Sequence, residues 1–330
     1  MPGVNVQNAE QVIDLFHDAA RASRDAECRE GSVEVIRGPG TLIATGDLHD
    51  NPFHLKQLLE RCGLEGGAAC PPAGAGGSTE PAGAGGASEP DNGASGAAPA
   101  EPPVHITFHE VIHSDRLLNG LDLSYRALAR IAEAKVCAPE RVHTLLANHE
   151  LAQIVGAGIV KDGVRCVEAF NDGLGYVFGD DWERVAEALG EFIRAMPLAL
   201  RCVTPRGDIL CAHSLPSPGV MGRFDTTILS RDLTDDDFAP RLGSAHLMVW
   251  GRGYDAEQLE DLVERWGVNM FILGHEKADN GCLVIPPCAI VLNSDHERGV
   301  YLPLDLDHPP SFAEVPGLVR PLGGMAQQGT

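Results

Sequence analysis

Strands and helices alternate through the first half of this chain, paired strands dominate the second, and polar residues collect just after the short apolar runs. Together these observations predict an α/β protein, a two-layer β-sandwich flanked by helices. The apolar fraction of 44% is ordinary for a globular chain and can fill the core of such a sandwich.

Val12, Ile13, Leu15, Phe16, Ala19 and Ala20 recur at helical spacing over residues 9–22, so an amphipathic helix comes first. SVEVIR (32–37) alternates as a half-buried strand. Leu42, Ile43 and Ala44 form a buried strand that Gly46 breaks, and Asp47 and His49 follow two residues apart. Asn51 and Pro52 read as the N-cap and first residue of a helix bearing Leu55, Leu58, Leu59 and Cys62. A carboxylate and an imidazole therefore sit at the C-terminal end of a strand, where open α/β sheets place their ligands. On its own such an Asp-x-His pair is more simply a capped turn, and its weight comes from downstream partners.

Residues 65–103 are nearly all Gly, Ala, Pro, Ser and acidic, with no aromatic side chain. Nothing there can offset the entropy of ordering, so a disordered insert is expected. HITF (105–108) is a strand followed by the loop HEVIHSDRLLNG, and Leu121, Tyr125, Leu128 and Ala132 mark a helix. RVHTLL (141–146) is a strand ending in Ala147-Asn148-His149-Glu150. A helix runs from about Trp182, with Val185, Leu189, Phe192 and Ile193 on one face and Asp180 or Asp181 as its cap. LALRCV and DILCAH are strands joined by the turn 204–207. Residues 225–244 are polar with little periodicity, and Asp235-Asp236-Asp237 reads as a solvated loop. Residues 255–266 are helical, Met270 to Leu273 is a buried strand ending at Gly274-His275, and CLVI, AIVLN and VYLPL are further short strands. The main domain is expected over 41–304, with an accessory helix and strand in 1–40 and a C-terminal tail in 305–330.

The formal charge of −22 disfavours nucleic acid or an anionic membrane as partner. No apolar run approaches the ~18 residues of a membrane span, and the first residues lack a secretory pattern. The nine cysteines are scattered without a Cys-x-x-Cys and read as free, mostly buried thiols. A cytoplasmic location is expected.

Five polar groups thus follow apolar runs: Asp47 with His49; Glu110 with His113; Asn148, His149 and Glu150; His213; and His275. A pair of metal ions about 3.5–4 Å apart needs a bridging carboxylate with nitrogen and oxygen ligands from several loops. This set supplies them without cysteine, and suits Mn, Fe or Zn better than Ca.

The order GDLHD, ANHE, a strand ending in His213, then Gly274-His275 resembles the calcineurin-like metallophosphoesterases, most of all their phosphoprotein phosphatase branch. Trp250-Gly251-Arg252-Gly253-Tyr254 resembles the Arg-Gly segment of that branch before its last metal histidine. Asp295-His296-Glu297-Arg298-Gly299 resembles its terminal loop. The resemblance spans 41–304 apart from the insert. It implies a hydrolase with two divalent or trivalent metal ions, in which an activated hydroxide attacks a phosphomonoester in line, the substrate being a phosphoprotein or a small molecule. Under it Asp47 and His49 hold one metal, Asn148, His213 and His275 hold the other, and Glu110 stands where the family has a bridging Asp. His149 becomes the general acid and Arg252 a phosphoryl-oxygen ligand, while Glu150 supports the helix N-terminus.

The second motif departs from the family's Gly-Asp-x-x-Asp-Arg-Gly, reading His109-Glu110-Val111-Ile112-His113-Ser114-Asp115-Arg116. By strict register His113 takes the place of the carboxylate that orients the acid. In a loop longer by two residues Asp115 would do so, with Arg116 as a second phosphate arginine. His105, His143 and His246 are read as non-ligands, and His109 is left open. Two other functions fit the same residues: a dinucleoside polyphosphate or other nucleotide hydrolase, and a non-catalytic metal- or phosphate-binding module. Substrate, metal identity and oligomeric state are not readable.

Overall fold

The computed structural model of the chain describes residues 3–64, 101–161 and 163–323. Most of the insert expected at 65–103 therefore lies outside the described residues. The first half contains α1 (Ala9–Arg24), β1 (Arg29–Glu30), β2 (Val33–Arg37), β3 (Thr41–Thr45), α2 (Pro52–Arg61), β4 (Val104–Phe108), α3 (Tyr125–Cys137) and β5 (Val142–Thr144). Then come α4 (Asn148–Val155), the small hairpin β6 (Val160–Lys161) and β7 (Val164–Arg165), α5 (Cys166–Phe178), and α6 (Trp182–Ala195). The second half holds β8 (Ala199–Val203), β9 (Asp208–Ala212), α7 (Ser244–Val249), α8 (Ala256–Trp266), β10 (Val268–Leu273), β11 (Cys282–Ile285), β12 (Ala289–Leu292), β13 (Val300–Asp305), α9 (Val315–Leu318) and β14 (Arg320–Pro321).

Two mixed sheets face each other. One has seven strands in the order β1-β2-β8-β9-β10-β12-β11, the other five in the order β14-β13-β3-β4-β5. Period-two alternation divides their side chains between two cores. Leu42 and Ala44 of β3 and Leu302 and Leu304 of β13 meet Leu200, Cys211, Ile272 and Ile290 from the seven-stranded sheet. The alternate residues, among them Ile43, Val35, Ala212, Phe271 and Val291, turn outward into a second core with the helices. There α1 packs along α6, with the Phe16 and Phe192 rings stacked at 6.0 Å. The expected sandwich flanked by helices is the architecture found. Residues outside 41–304 contribute strands to it: β2 runs parallel to β8, and β14 pairs with β13.

Local chemistry explains most element ends. Asn51 caps α2 by accepting from the His54 amide at 3.1 Å, and Asp255 caps α8 by accepting from Gln258 at 2.8 Å. Asp181 stands at the start of α6 but gives its carboxylate to Arg184 at 2.9 Å instead of to a backbone amide. Helix α5 was not legible in the sequence, because Gly173 and Gly175 interrupt the apolar pattern of Val167, Phe170, Leu174 and Phe178. Among the described residues no helix is long and apolar enough to cross a membrane.

One buried polar node ties the layers together. Glu34 on β2 takes the Lys135 ammonium of α3 at 2.8 Å and is hydrogen-bonded to His143 of β5, all three being fully buried. His143 in turn meets His105 of β4 at 3.2 Å, and Lys135 also donates to the Pro139 carbonyl at 2.8 Å. Burial alone would raise the Glu34 carboxyl, but Lys135 and His143 outweigh it and hold it at about 2.

Candidate metal centre

Six strands, β3, β4, β5, β9, β10 and β12, end at the same edge of the sandwich, and the loops that leave them build one cluster. Gly46, just past β3, lies so close to β12 that a Cβ there would collide with the Leu292 carbonyl. That approach lets Asp47 bridge to Asn293, and its carbonyl accepts from the Ser294 amide at 3.0 Å. The Leu48 and His49 amides both donate to the Glu110 carbonyl, at 3.1 and 2.8 Å, so the loops after β3 and β4 are tied together. The backbone here is unusual. His49, Asp50, Glu110, His113 and His275 adopt φ of 42°, 54°, 48°, 61° and 68°. Side chains other than glycine enter this left-handed region at a cost of about 1–2 kcal/mol each. Strain of this kind gathers at functional sites.

Glu110 lies at the centre. Its Oε1 is 3.0 Å from His49 Nε2 and its Oε2 is 2.9 Å from His213 Nε2. His213 Nε2 also lies 2.7 Å from Asn148 Oδ1 and 3.1 Å from His275 Nδ1. Asp47 accepts from the His275 amide with both oxygens, at 3.0 and 2.9 Å. The predicted ligands Asp47, His49, Glu110, Asn148, His213 and His275 are thus brought together, from six points spread across 229 positions of sequence (47 to 275). All six are buried.

The donor set fits metal binding. Bonds of about 2.0–2.2 Å to one ion place neighbouring ligand atoms roughly 3 Å apart, which matches the spacings around His213 Nε2. Asp47, His49 and Glu110 form one group whose donor atoms lie within 4.8 Å of one another, and Glu110, His213 and His275 form another. Glu110 belongs to both. The Nε2 of His275 is buried without a hydrogen-bond partner, as expected of an atom arranged for an ion instead of for a neighbouring side chain.

The charges follow the same arrangement. Burial would raise the Glu110 carboxyl, but the imidazoles of His149, His213 and His49 hold it well below the usual carboxylate range. Burial opposes charge on His49 too, yet Glu110 outweighs it and lifts the ring to about 9. His275 is pushed down to about 3 by burial and by the neighbouring His213.

Around this centre the second motif resolves. His113 turns its Nδ1 to His149 Nδ1 at 3.1 Å, while its Nε2 donates to Gln153 Oε1 at 3.0 Å. Asp115 points away and pairs with Lys161 at 2.9 Å. Of the two alternatives left open by the sequence, His113 is the residue in contact with His149. Arg116 donates to the His49 carbonyl at 2.9 Å and pairs with Asp295 at 2.6 Å. Arg252 donates to the His275 carbonyl at 2.6 Å, with half of its side chain exposed. The two guanidinium groups therefore flank the cluster on its His49 and His275 sides. Glu150 accepts from the Val111 and Ile112 amides at 2.7 and 3.2 Å, supporting the loop that carries Glu110.

His109 is the residue that sequence reasoning left without a role. Its Nε2 donates to the Thr45 carbonyl at 2.9 Å, so with a single ring proton the lone pair is on Nδ1. That lone pair faces His213 Nδ1 at 3.2 Å and accepts its proton, which leaves His213 Nε2 free to act as a ligand. The only signal in the sequence was an imidazole directly before Glu110.

No family model matches the sequence, and no curated protein matches it. Solved structures do share its fold. A protein serine/threonine phosphatase from Saccharomyces cerevisiae superposes with a TM-score of 0.57 at 15% identity, over 90% of this chain and 83% of that one. A cold-active protein-tyrosine phosphatase from a psychrophilic Shewanella gives 0.52 at 13% identity, over 86% and 79%. At these identities the likeness is one of fold, the two facing mixed sheets flanked by helices.

Proposed function

We propose that this protein is a metal-dependent phosphoester hydrolase acting on phosphomonoesters. The observation that carries this reading is the sharing of Glu110 between two groups of buried donors, with an imidazole and two arginines at its edge. Asp47, His49 and Glu110 would hold one cation; Glu110, Asn148, His213 and His275 would hold the other. When bound, such a pair supplies the Lewis acidity that activates water and neutralises phosphoryl oxygens.

The remaining groups have separable tasks. His149 turns Nε2 towards the cluster, 3.8 Å from Glu110 Oε1. Its Nδ1–H donates to the His113 lone pair, which is fixed there because His113 Nε2–H is committed to Gln153. As general acid the His149 ring carries a proton on each nitrogen, and the Nδ1–H bond to His113 aims the Nε2–H at a departing oxygen. Arg252, half exposed beside His275, offers a planar pair of donors for phosphoryl oxygens. Arg116 is held by Asp295 and the His49 carbonyl, which fixes its guanidinium on the opposite side of the cluster.

The test is metal analysis of the purified chain with a panel of p-nitrophenyl phosphate, phosphopeptides and nucleotides. Two metal ions per chain and turnover of phosphomonoesters are expected. Bound metal without turnover of any phosphoester would make the chain a binding module, and turnover of nucleotides alone would move it to the other hydrolase class.

A further inference from the structure

Cys166 is buried beside this centre, and the chemistry above leaves it unused. It opens α5 at the end of the small hairpin β6–β7. Its sulfur and one ring nitrogen each of His113 and His149 lie within 4.8 Å of one another. The two imidazoles face each other through Nδ1 at 3.1 Å. In a tetrahedral zinc site, bonds of about 2.0–2.1 Å to nitrogen and 2.3 Å to sulfur place two nitrogen ligands roughly 3.3 Å apart. The existing spacing is close to that. His113 Nδ1 already carries its lone pair on this side, since Nε2 donates to Gln153. A cavity of about 190 Å³, lined by His113, Cys166, Asp122 and Lys161 among others, adjoins the group and has room for an ion with a water as fourth ligand.

We propose that His113, His149 and Cys166 form a separate site that takes Zn²⁺ through two imidazole nitrogens and a thiolate, and that zinc there inhibits the enzyme. The main cluster uses His149 from its Nε2 side, whereas this site uses Nδ1, so the two do not compete for one atom. Binding releases two protons to solvent, one from the Cys166 thiol and one from Nδ1 of the doubly protonated acid form of His149, so that two neutral rings and one thiolate meet the ion. An imidazole ligated through Nδ1 would have to become an imidazolate to give up its Nε2 proton. His149 then no longer delivers that proton to a leaving oxygen. The inhibitory half rests on the reading of His149 as general acid, and the binding half does not.

The experiment uses the full chain with its main site loaded with Mn²⁺, titrated with Co²⁺ and separately with Zn²⁺. Thiolate ligation gives Co²⁺ a sulfur-to-metal charge-transfer band that the Asp, Glu, Asn and His donors of the main cluster cannot produce. The band should appear in the wild type, disappear in Cys166→Ser, and survive in the control Cys288→Ser. The zinc concentration for half-inhibition should rise at least tenfold in Cys166→Ser, with turnover in the absence of zinc within twofold of wild type. Cys166→Ala serves if the serine variant does not fold. Absence of the band in the wild type, or its persistence in both Cys166 variants, would overturn the site. A band that depends on Cys166 with equal zinc inhibition in both proteins would overturn the inhibitory role. A wild type without turnover would instead reject the proposed hydrolase, while the cobalt band still decides whether the site exists.

Discussion

Replacing Gly274 by alanine should cost the protein its metal while leaving the fold standing. A Cβ at that position would fall inside van der Waals contact of Asp47 Oδ1 and His109 Cε1, and 3.1 Å from His109 Nδ1. The three nearest atoms belong to two side chains of the site. Relief therefore comes from moving Asp47 and His109, by roughly 1 Å given ordinary carbon–oxygen contact distances. Asp47 would then leave its paired contacts with the His275 amide, and His109 would lose its line to His213. A displacement of about 1 Å in such a constellation costs on the order of 10²-fold in rate, and disturbing the supports of a metal ligand costs about 10–100-fold in affinity. Metal affinity is read by competition with a chelator, turnover with p-nitrophenyl phosphate, and the fold by thermal melting. Gly158→Ala is the matched control, because a Cβ there meets nothing within 4 Å. A Gly274→Ala protein that binds two metal ions with wild-type affinity would refute the geometric argument.

Glu110→Gln should lose most of its bound metal, at least tenfold in affinity, because an amide cannot balance two divalent ions as a carboxylate does; metal analysis checks this. His149→Ala should keep its metal while turnover falls by about 10²–10⁴ on alkyl phosphates, and the defect should shrink for p-nitrophenyl phosphate, whose leaving group hardly needs a proton. Lys135→Met should leave the site alone but lower stability by about 3–5 kcal/mol, since it strands a buried carboxylate, a loss that denaturant melts would measure. Acid should also weaken the node in the wild type. Glu34, held at about 2 against an ordinary 4.5, contributes stability that is present above pH 4.5 and lost as pH falls towards 2. His105, which burial lowers to about 4 from 6.5, adds a loss between pH 6.5 and 4 because the unfolded chain binds the proton more readily. Melting temperature against pH that stays flat from 7 to 3 would contradict both.

The sandwich was legible because its strands are short apolar runs with turn residues at their ends, and the parity of Leu42 against Ile43 already divides the two cores. The candidate metal ligands were legible for a related reason, since each follows such a run directly and needs only local sequence to be noticed. What could not be read was whatever depends on direction. Nothing in HEVIHSDR says that a left-handed turn at His113 sends its ring back to His149 while Asp115 leaves for Lys161 across the β6–β7 hairpin. The role of His109 depends on a partner 104 positions away. The node of Glu34, Lys135 and His143 joins three elements whose charged residues each look like surface positions in isolation. Helix α5 escaped because packing, and not propensity, keeps a segment with two glycines helical.

The left-handed residues around the metal centre carry a consequence for how this protein would respond to selection. His49, Asp50, Glu110, His113 and His275 hold their conformations against the preference of their own side chains. Glycine at any of them would relax the backbone, so a search for heat resistance alone would arrive at these positions early. Asp50 could accept the change most easily, as it is absent from the donor groups. At the other four the same relaxation would remove an imidazole or carboxylate of the centre. Heat-resistant descendants chosen without an activity screen should therefore be enriched in catalytically dead proteins, with their losses concentrated on this one edge of the sandwich.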